Sequence, residues 1–220
     1  MINKLHTYRF ELFFFSIVSI LFGSLFFPKA LFADTILPIL FLINIIAGLL
    51  FFIEKRRQSW ITFGLFLIVL LVLGYKLVTR LENASLNYLR FIAYFIFYVL
   101  TTLEIIRQVW NAERVNKSVI YGLMSGYIAL GLLSFFTYFC IELIIPGSFS
   151  GIDYNGIRVE KVDALLYYSY ISLMTIGYGD ITPVNIFSQK ASIFFAMIGQ
   201  FYLVIITAVV IEKYIRHSNK

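Results

Sequence analysis

Apolar runs separated by short polar stretches repeat along the whole chain. They cover about Leu12 to Phe27, Ile36 to Ile53, Trp60 to Val78, Tyr88 to Ile106, Val119 to Ile145 and Ser188 to Ile211. Each is close to or above the ~20 residues with which an α-helix crosses the hydrocarbon core of a bilayer. The prolines stand at the edges of these runs. Pro38 falls in a first turn, where its missing N–H costs no hydrogen bond, and Pro146-Gly147-Ser148 closes the fifth run. A further stretch, about Ala164 to Met174, is too short to span. It reads as a helix that enters the membrane and returns, which is tolerated only where protein or a watery cavity surrounds it. Asp163 stands where an acidic side chain would cap that helix. The pattern predicts an all-α integral membrane protein with six transmembrane helices and a re-entrant helix between the fifth and sixth. It divides into residues 1–117, with four peripheral helices, and residues 118–220.

Composition narrows this further. The chain is 60% hydrophobic and only 14% charged, too little charge to cover the surface of a soluble domain. Its net charge of +6 does not point to nucleic acid, because the basic residues form short clusters between apolar runs. Lys55-Arg56-Arg57 is the densest cluster, and Arg107, Arg114, Lys117, Lys213, Arg216 and Lys220 fall on the same predicted side. That bias places both termini in the cytoplasm, in a multi-pass plasma-membrane protein. Leu12 to Phe27 reads as a retained span rather than a cleaved signal, since Leu31 stands two before Ala33 and Pro28-Lys29 interrupt. Asn83-Ala84-Ser85 has the glycosylation pattern, in an outer loop with Lys76, Arg80 and Glu82. Cys140 is the single cysteine, and His6 and His217 lie near opposite ends, so neither a disulfide nor a metal site is indicated. No group of side chains suggests an enzyme or a cofactor.

The fourth run bears on gating. A voltage sensor carries basic residues at every third position, each charge that crosses the field being worth ~2.3 kcal/mol per 100 mV. Here Arg90 and Arg107 stand at the two ends with none between, and Glu104 is placed to pair with Arg107 three residues on. No sensor is predicted.

The chemistry concentrates in Thr175-Ile176-Gly177-Tyr178-Gly179-Asp180. Alternating glycines reach positive φ without steric cost, so successive carbonyls can turn to one side. Rings of such carbonyls can replace the hydration shell of a potassium ion. This stretch resembles the filter of the tetrameric potassium channels, usually T-V-G-Y-G-D, with isoleucine here for valine. Asp163 to Ser169, with its paired aromatics, resembles their pore helix, and Gly199 falls where their inner helix often has glycine. The resemblance covers roughly the last hundred residues. It implies a homotetramer in which three identical subunits complete the filter around each chain. Carbonyls of Thr175, Ile176, Gly177 and Tyr178 would bind K+, with Gly179 completing the filter and Asp180 forming an acidic ring at the outer mouth. Tyr167 and Tyr168 would support the filter, Tyr168 bracing Tyr178 through its hydroxyl.

Three positions depart from the family pattern. Met174 replaces a common second threonine, Ile171 excludes a carboxylate partner for Asp180, and the two tyrosines replace tryptophans. On the last span, Gln200, Leu203, Thr207 and Ile211 fall on one helical face, suited to line a cavity and, at Ile211, to close it, with Gly199 able to absorb a bend above them. Gln200 fits equally a hydrogen bond to a neighbouring helix in the protein interior. Glu142 near the end of the fifth run reads as an interfacial acid rather than an ion site. The short polar tail encodes no ligand-binding domain. The expected function is passive K+ conduction without voltage gating, with K+, the other subunits and lipid as partners. The alternatives are a potassium transporter subunit, disfavoured by the single filter motif, and a non-conducting regulatory membrane protein.

Overall fold

A computed structural model describes residues 2–28, 31–53, 55–79, 84–152 and 158–218. Lys29, Arg80, Glu82 and the glycosylation acceptor Asn83 lie outside the described residues. The chain forms two compact units, Met1–Gly126 and Tyr127–Lys220, and the division falls inside the fifth predicted span.

In the first unit, α1 (Arg9–Phe22) is followed by α2 (Leu37–Leu49), α3 (Arg56–Thr79) and α4 (Ala84–Asn111). A π turn (Phe32–Ile36) leads into α2 and a 3-10 turn (Leu50–Phe52) comes after it. Successive helices pack on one another: α1 on α2, α2 on α3 and α3 on α4. Each turns a stripe inward, shown by Phe10, Phe13, Ser16, Ile17 and Ile20 on α1. The α4 stripe is Ala93, Tyr94, Phe97, Tyr98, Thr101, Thr102, Glu104, Ile105 and Val109. These recur at three- and four-residue steps, the period of an α-helical face.

Polar groups hold this unit together at two levels. Mid-helix, the fully buried Tyr98 donates its hydroxyl to Asn44 Oδ1, and Asn44 Nδ2 donates to Ser16 Oγ, each at 2.8 Å. Towards the end of α4, Lys55 pairs with Glu104, whose other oxygen accepts from Gln108 Nε2 at 2.8 Å. Gln108 Oε1 accepts from Arg9 Nε at 2.8 Å, and Gln108 also donates to the Phe51 carbonyl at 3.0 Å. The expected Glu104–Arg107 pair is thus secondary, at 4.0 Å. Lys55 approaches more closely because Glu104 is buried on the stripe facing the other helices, while Arg107 is exposed.

The second unit contains the end of α5 (Lys117–Ile144), β1 (Phe149–Ser150), α6 (Arg158–Leu173), β2 (Thr182–Pro183), α7 (Ile186–Phe201), a π turn (Tyr202–Ile206) and α8 (Thr207–Ser218). β1 and β2 pair antiparallel, Phe149 with Pro183 and Ser150 with Thr182. Helix α6 begins earlier than expected, so Asp163 lies inside it and is not its cap. Arg158-Val159-Glu160-Lys161-Val162 contains no helix breaker, which lets the helix start before the acid. Glu142 accepts from the backbone N–H groups of Gly147 and Ser148 at 2.8 and 2.9 Å, fastening the turn that leaves α5.

Among the described residues, four helices can cross a membrane by length and composition: Arg57–Tyr75, Tyr88–Asn111, Lys117–Ile144 and Ile186–Arg216. Leu37–Phe52 is a shorter apolar helix, and α1 has 14 residues.

Candidate functional site

The loop from Met174 to Asp180 hangs from the C-terminal end of α6, and its backbone hydrogen bonds run in one direction. Met174 N donates to Tyr170 O at 2.9 Å and Thr175 N to Ser172 O at 3.1 Å. Ile176 N and Gly177 N both donate to Ile171 O, at 2.8 and 3.3 Å. The N–H groups of Met174 to Gly177 are therefore spent on the helix. Among the described residues, the carbonyls of Thr175, Ile176, Gly177 and Tyr178 accept no hydrogen bond. Backbone carbonyls need partners, so this row is available to a cation or to water.

Backbone handedness alternates along the same residues. Thr175 has φ 57°, Gly177 58° and Gly179 80°, whereas Ile176 and Tyr178 are not among the positive-φ residues. In an ordinary strand successive carbonyls point to opposite sides; inverting every second residue turns them to one side. Two of the three positions are glycine, which accepts this freely. Thr175 is β-branched, and the left-handed region costs such a residue about 1–2 kcal/mol. Its hydroxyl donates to Met174 O at 2.7 Å and accepts from Gln200 Nε2 at 3.3 Å.

The two tyrosines of α6 take different roles. Tyr167 is exposed, and the Asp180 carboxylate that accepts its hydrogen bond pushes its phenol pKa up. Tyr168 is buried and does not brace Tyr178 within the chain. Its hydroxyl shares a 2.8 Å hydrogen bond with Ser192, and its ring packs against Tyr138 and Phe149, at 5.2 Å between centroids in both cases. Within the chain its side chain points from α6 towards α7, where Ser192 supplies the partner. Tyr170 fastens α6 to α5 by donating to the Ile128 carbonyl at 2.8 Å. Tyr127 reaches the last α6 carbonyl, that of Leu173, at 3.3 Å. Neither contact is visible from the loop motif, since both partners lie on a distant helix.

Two expectations for the inner helix change. Gly199 is buried against α6: a Cβ there would come within 2.7 Å of Leu173 Cδ1 and 3.0 Å of Leu173 O. It permits close packing and is not the place where the helix is irregular. That place is the π turn Tyr202–Ile206. A π turn holds one residue more than an α turn, so the helix beyond it is rotated by about 100° relative to a straight one. Gln200 and Leu203 therefore do not share one continuous face with Thr207 and Ile211. The buried face instead runs Phe195, Gly199, Tyr202, Ile206 and Val210, and the π turn keeps its four-residue steps from drifting outward.

Residues 128–216 match a family model described as ion channel, nearly the whole of the second unit. Two-pore potassium channel 2 of Arabidopsis thaliana is 32% identical over 85 residues, which is 39% of this chain and 16% of that protein. The chain thus corresponds to a small part of that relative's length. No solved structure matches. The matches point to an ion channel, the second to a potassium channel, and the long apolar helices to a membrane protein.

Proposed function

We propose that the chain is one subunit of a potassium-selective channel, and that Thr175 to Gly179 form one quarter of its filter. The observation that carries this reading is the alternation of positive φ at Thr175, Gly177 and Gly179, together with N–H groups bonded back to α6. Four such loops around an axis present stacked carbonyl rings, with the Thr175 hydroxyls innermost and the Asp180 carboxylates at the outer mouth. Potassium binds the rings, and neighbouring ions displace one another along them. The C-terminal end of α6 directs its partial negative charge towards the arriving cation.

The apolar surface of α7 and α8 supports assembly. Much of Ile186–Arg216 is left exposed by the chain, more than of Lys117–Ile144 and as much as of Arg57–Tyr75. Phe187, Phe194, Met197 and Val204 are all more than half exposed. In a homotetramer this surface is covered by the neighbouring copies. We assign six crossings, α1 and α2 contributing the first two with their flanking turns, and both termini in the cytoplasm of a plasma-membrane protein. Gating by voltage is not part of the proposal, because α4 buries an acid, Glu104, where a sensor would carry arginines.

Potassium flux through purified protein in liposomes, with sodium as the comparison, tests this. Selective K+ uptake is expected. Equal passage of both ions, or of neither, overturns the reading.

A further inference from the structure

The far end of the candidate filter is held by a segment no motif predicts. Gly151 follows β1 with φ 83°. A Cβ built on it would collide with the Asp180 carbonyl oxygen, and would lie 3.0 Å from the carbonyl carbon and 3.2 Å from Ile181 Cα. These neighbours are backbone atoms, which cannot swing aside as a flexible side chain can. The approach is fixed by what flanks it. Ser150 Oγ and Thr182 Oγ1 are 2.6 Å apart across the β1–β2 pair, and Val184 N donates to Ser148 O at 2.9 Å. Ser188 Oγ donates to the same Ser148 carbonyl at 2.9 Å, tying the segment to the first turn of α7. On the other side, the Asp180 carboxylate accepts from Tyr167. Asp180 is thus gripped by its main chain from Gly151 and by its side chain from α6.

We infer that residues 148–151 form a clasp that sets the position of Asp180, with Gly151 as its positioning residue. This rests on the reading of Thr175 to Gly179 as a potassium filter. The chemistry is steric. A methyl at position 151 must push the Asp180 peptide away, and Gly179 and Tyr178, joined to it, move with it. Carbonyl rings that select by the number and placement of their oxygens are sensitive to such a shift.

Gly147 provides the control. Its φ is 82°, yet a Cβ there meets nothing within 4 Å. Gly147→Ala and Gly151→Ala therefore carry the same backbone strain, and only the second carries the collision. The full-length protein in liposomes is expected to lose about tenfold in K+ over Na+ permeability with Gly151→Ala, the scale of an overpacking cost. Gly147→Ala should keep the wild-type ratio. A second readout does not need conduction: the K+ concentration that protects the detergent-solubilised protein against heat should rise by about tenfold in Gly151→Ala alone. If Gly151→Ala does not assemble, Ser150→Val keeps the glycine, removes the hydroxyl pair and should shift both readouts in the same direction by less. A wild type that conducts or is protected by K+, with both readouts unchanged in Gly151→Ala or equally changed in Gly147→Ala, overturns the clasp alone. Unchanged readouts in Ser150→Val, where that variant is needed, do the same. A wild type showing neither selective flux nor K+ protection overturns the filter reading, and the clasp with it.

Discussion

Thr175 concentrates the physics of the site in one residue. A β-branched side chain at φ 57° is disfavoured and persists only where neighbours determine it. Here its amide is bound to Ser172 and its hydroxyl to Met174 and Gln200. The tyrosines nearby yield sharper tests. Tyr168→Phe removes this hydrogen bond and should lower stability by about 1 kcal/mol, whereas Ser192→Ala also removes the donation of Ser192 Oγ to the Ser188 carbonyl at 2.7 Å and should lower it by more. The double variant should lose little more than Ser192→Ala alone, because the Tyr168 interaction is shared. Thermal or denaturant unfolding of the assembled protein reads this; additive losses would mean separate partners. Tyr167 supplies a pH test. Its phenol is raised above 10.0 by Asp180, so the bond's contribution is complete below that pH and fades as pH rises through the higher folded value. Wild type and Tyr167→Phe should differ in the rate of current loss at pH 7 and converge only above pH ~10; convergence near neutrality would contradict the pairing. The positive-φ positions Gly177 and Gly179 were legible in the sequence because glycine spacing is itself a conformational instruction. The partner of Tyr168 was not, since Ser192 is an ordinary residue on another helix until the fold brings it near.

Among the elements, the inner helix shows where sequence periodicity fails. Tyr202 to Ile206 contains neither proline nor glycine, and nothing local announces a π turn. It arises from tertiary packing, which keeps Tyr202, Ile206 and Val210 buried. Cysteine scanning can detect the shifted register. An α-helix continuing straight from Gln200 and Leu203 would present positions 207 and 211 to the same cavity, whereas the π turn presents 208 and 212. Thiol reagents applied from the cytoplasmic side should modify Ala208→Cys and Glu212→Cys faster than Thr207→Cys and Ile211→Cys. The reverse order would mean a straight inner helix. In the first unit, the apolar runs predicted the helices well, but the polar side chains that join them were read as local pairs. Glu104 binds Lys55 rather than Arg107 as its nearest cation, and α6 starts before Asp163. Glu104→Ala should destabilise by about 3 kcal/mol, the lower end for breaking a buried pair, because Lys55 is partly exposed. A loss below ~0.5 kcal/mol, the range of ordinary surface changes, would show the network to be incidental.

For the whole molecule, the division of labour depends on which surfaces are covered. The first unit joins its helices through the Asn44–Ser16–Tyr98 and Lys55–Glu104–Gln108–Arg9 chains. Among the described residues, the second leaves a row of carbonyls without hydrogen-bond partners and one side of α7 and α8 exposed. In the proposed tetramer, neighbouring copies would cover the exposed side and complete the carbonyl rings. With Arg90 and Arg107 alone on α4, opening of such an assembly should change little across voltage steps in single-channel recording; a steep dependence would place a sensor elsewhere. The central claim is that ions are bound by backbone oxygens of Thr175 to Tyr178, and the location of a bound ion tests it most directly. Crystals of the assembled protein grown with thallium in place of potassium should show anomalous peaks on the symmetry axis, stacked between the carbonyl rings of these four residues. Peaks confined to the Asp180 carboxylates, or none within the loop, would contradict it.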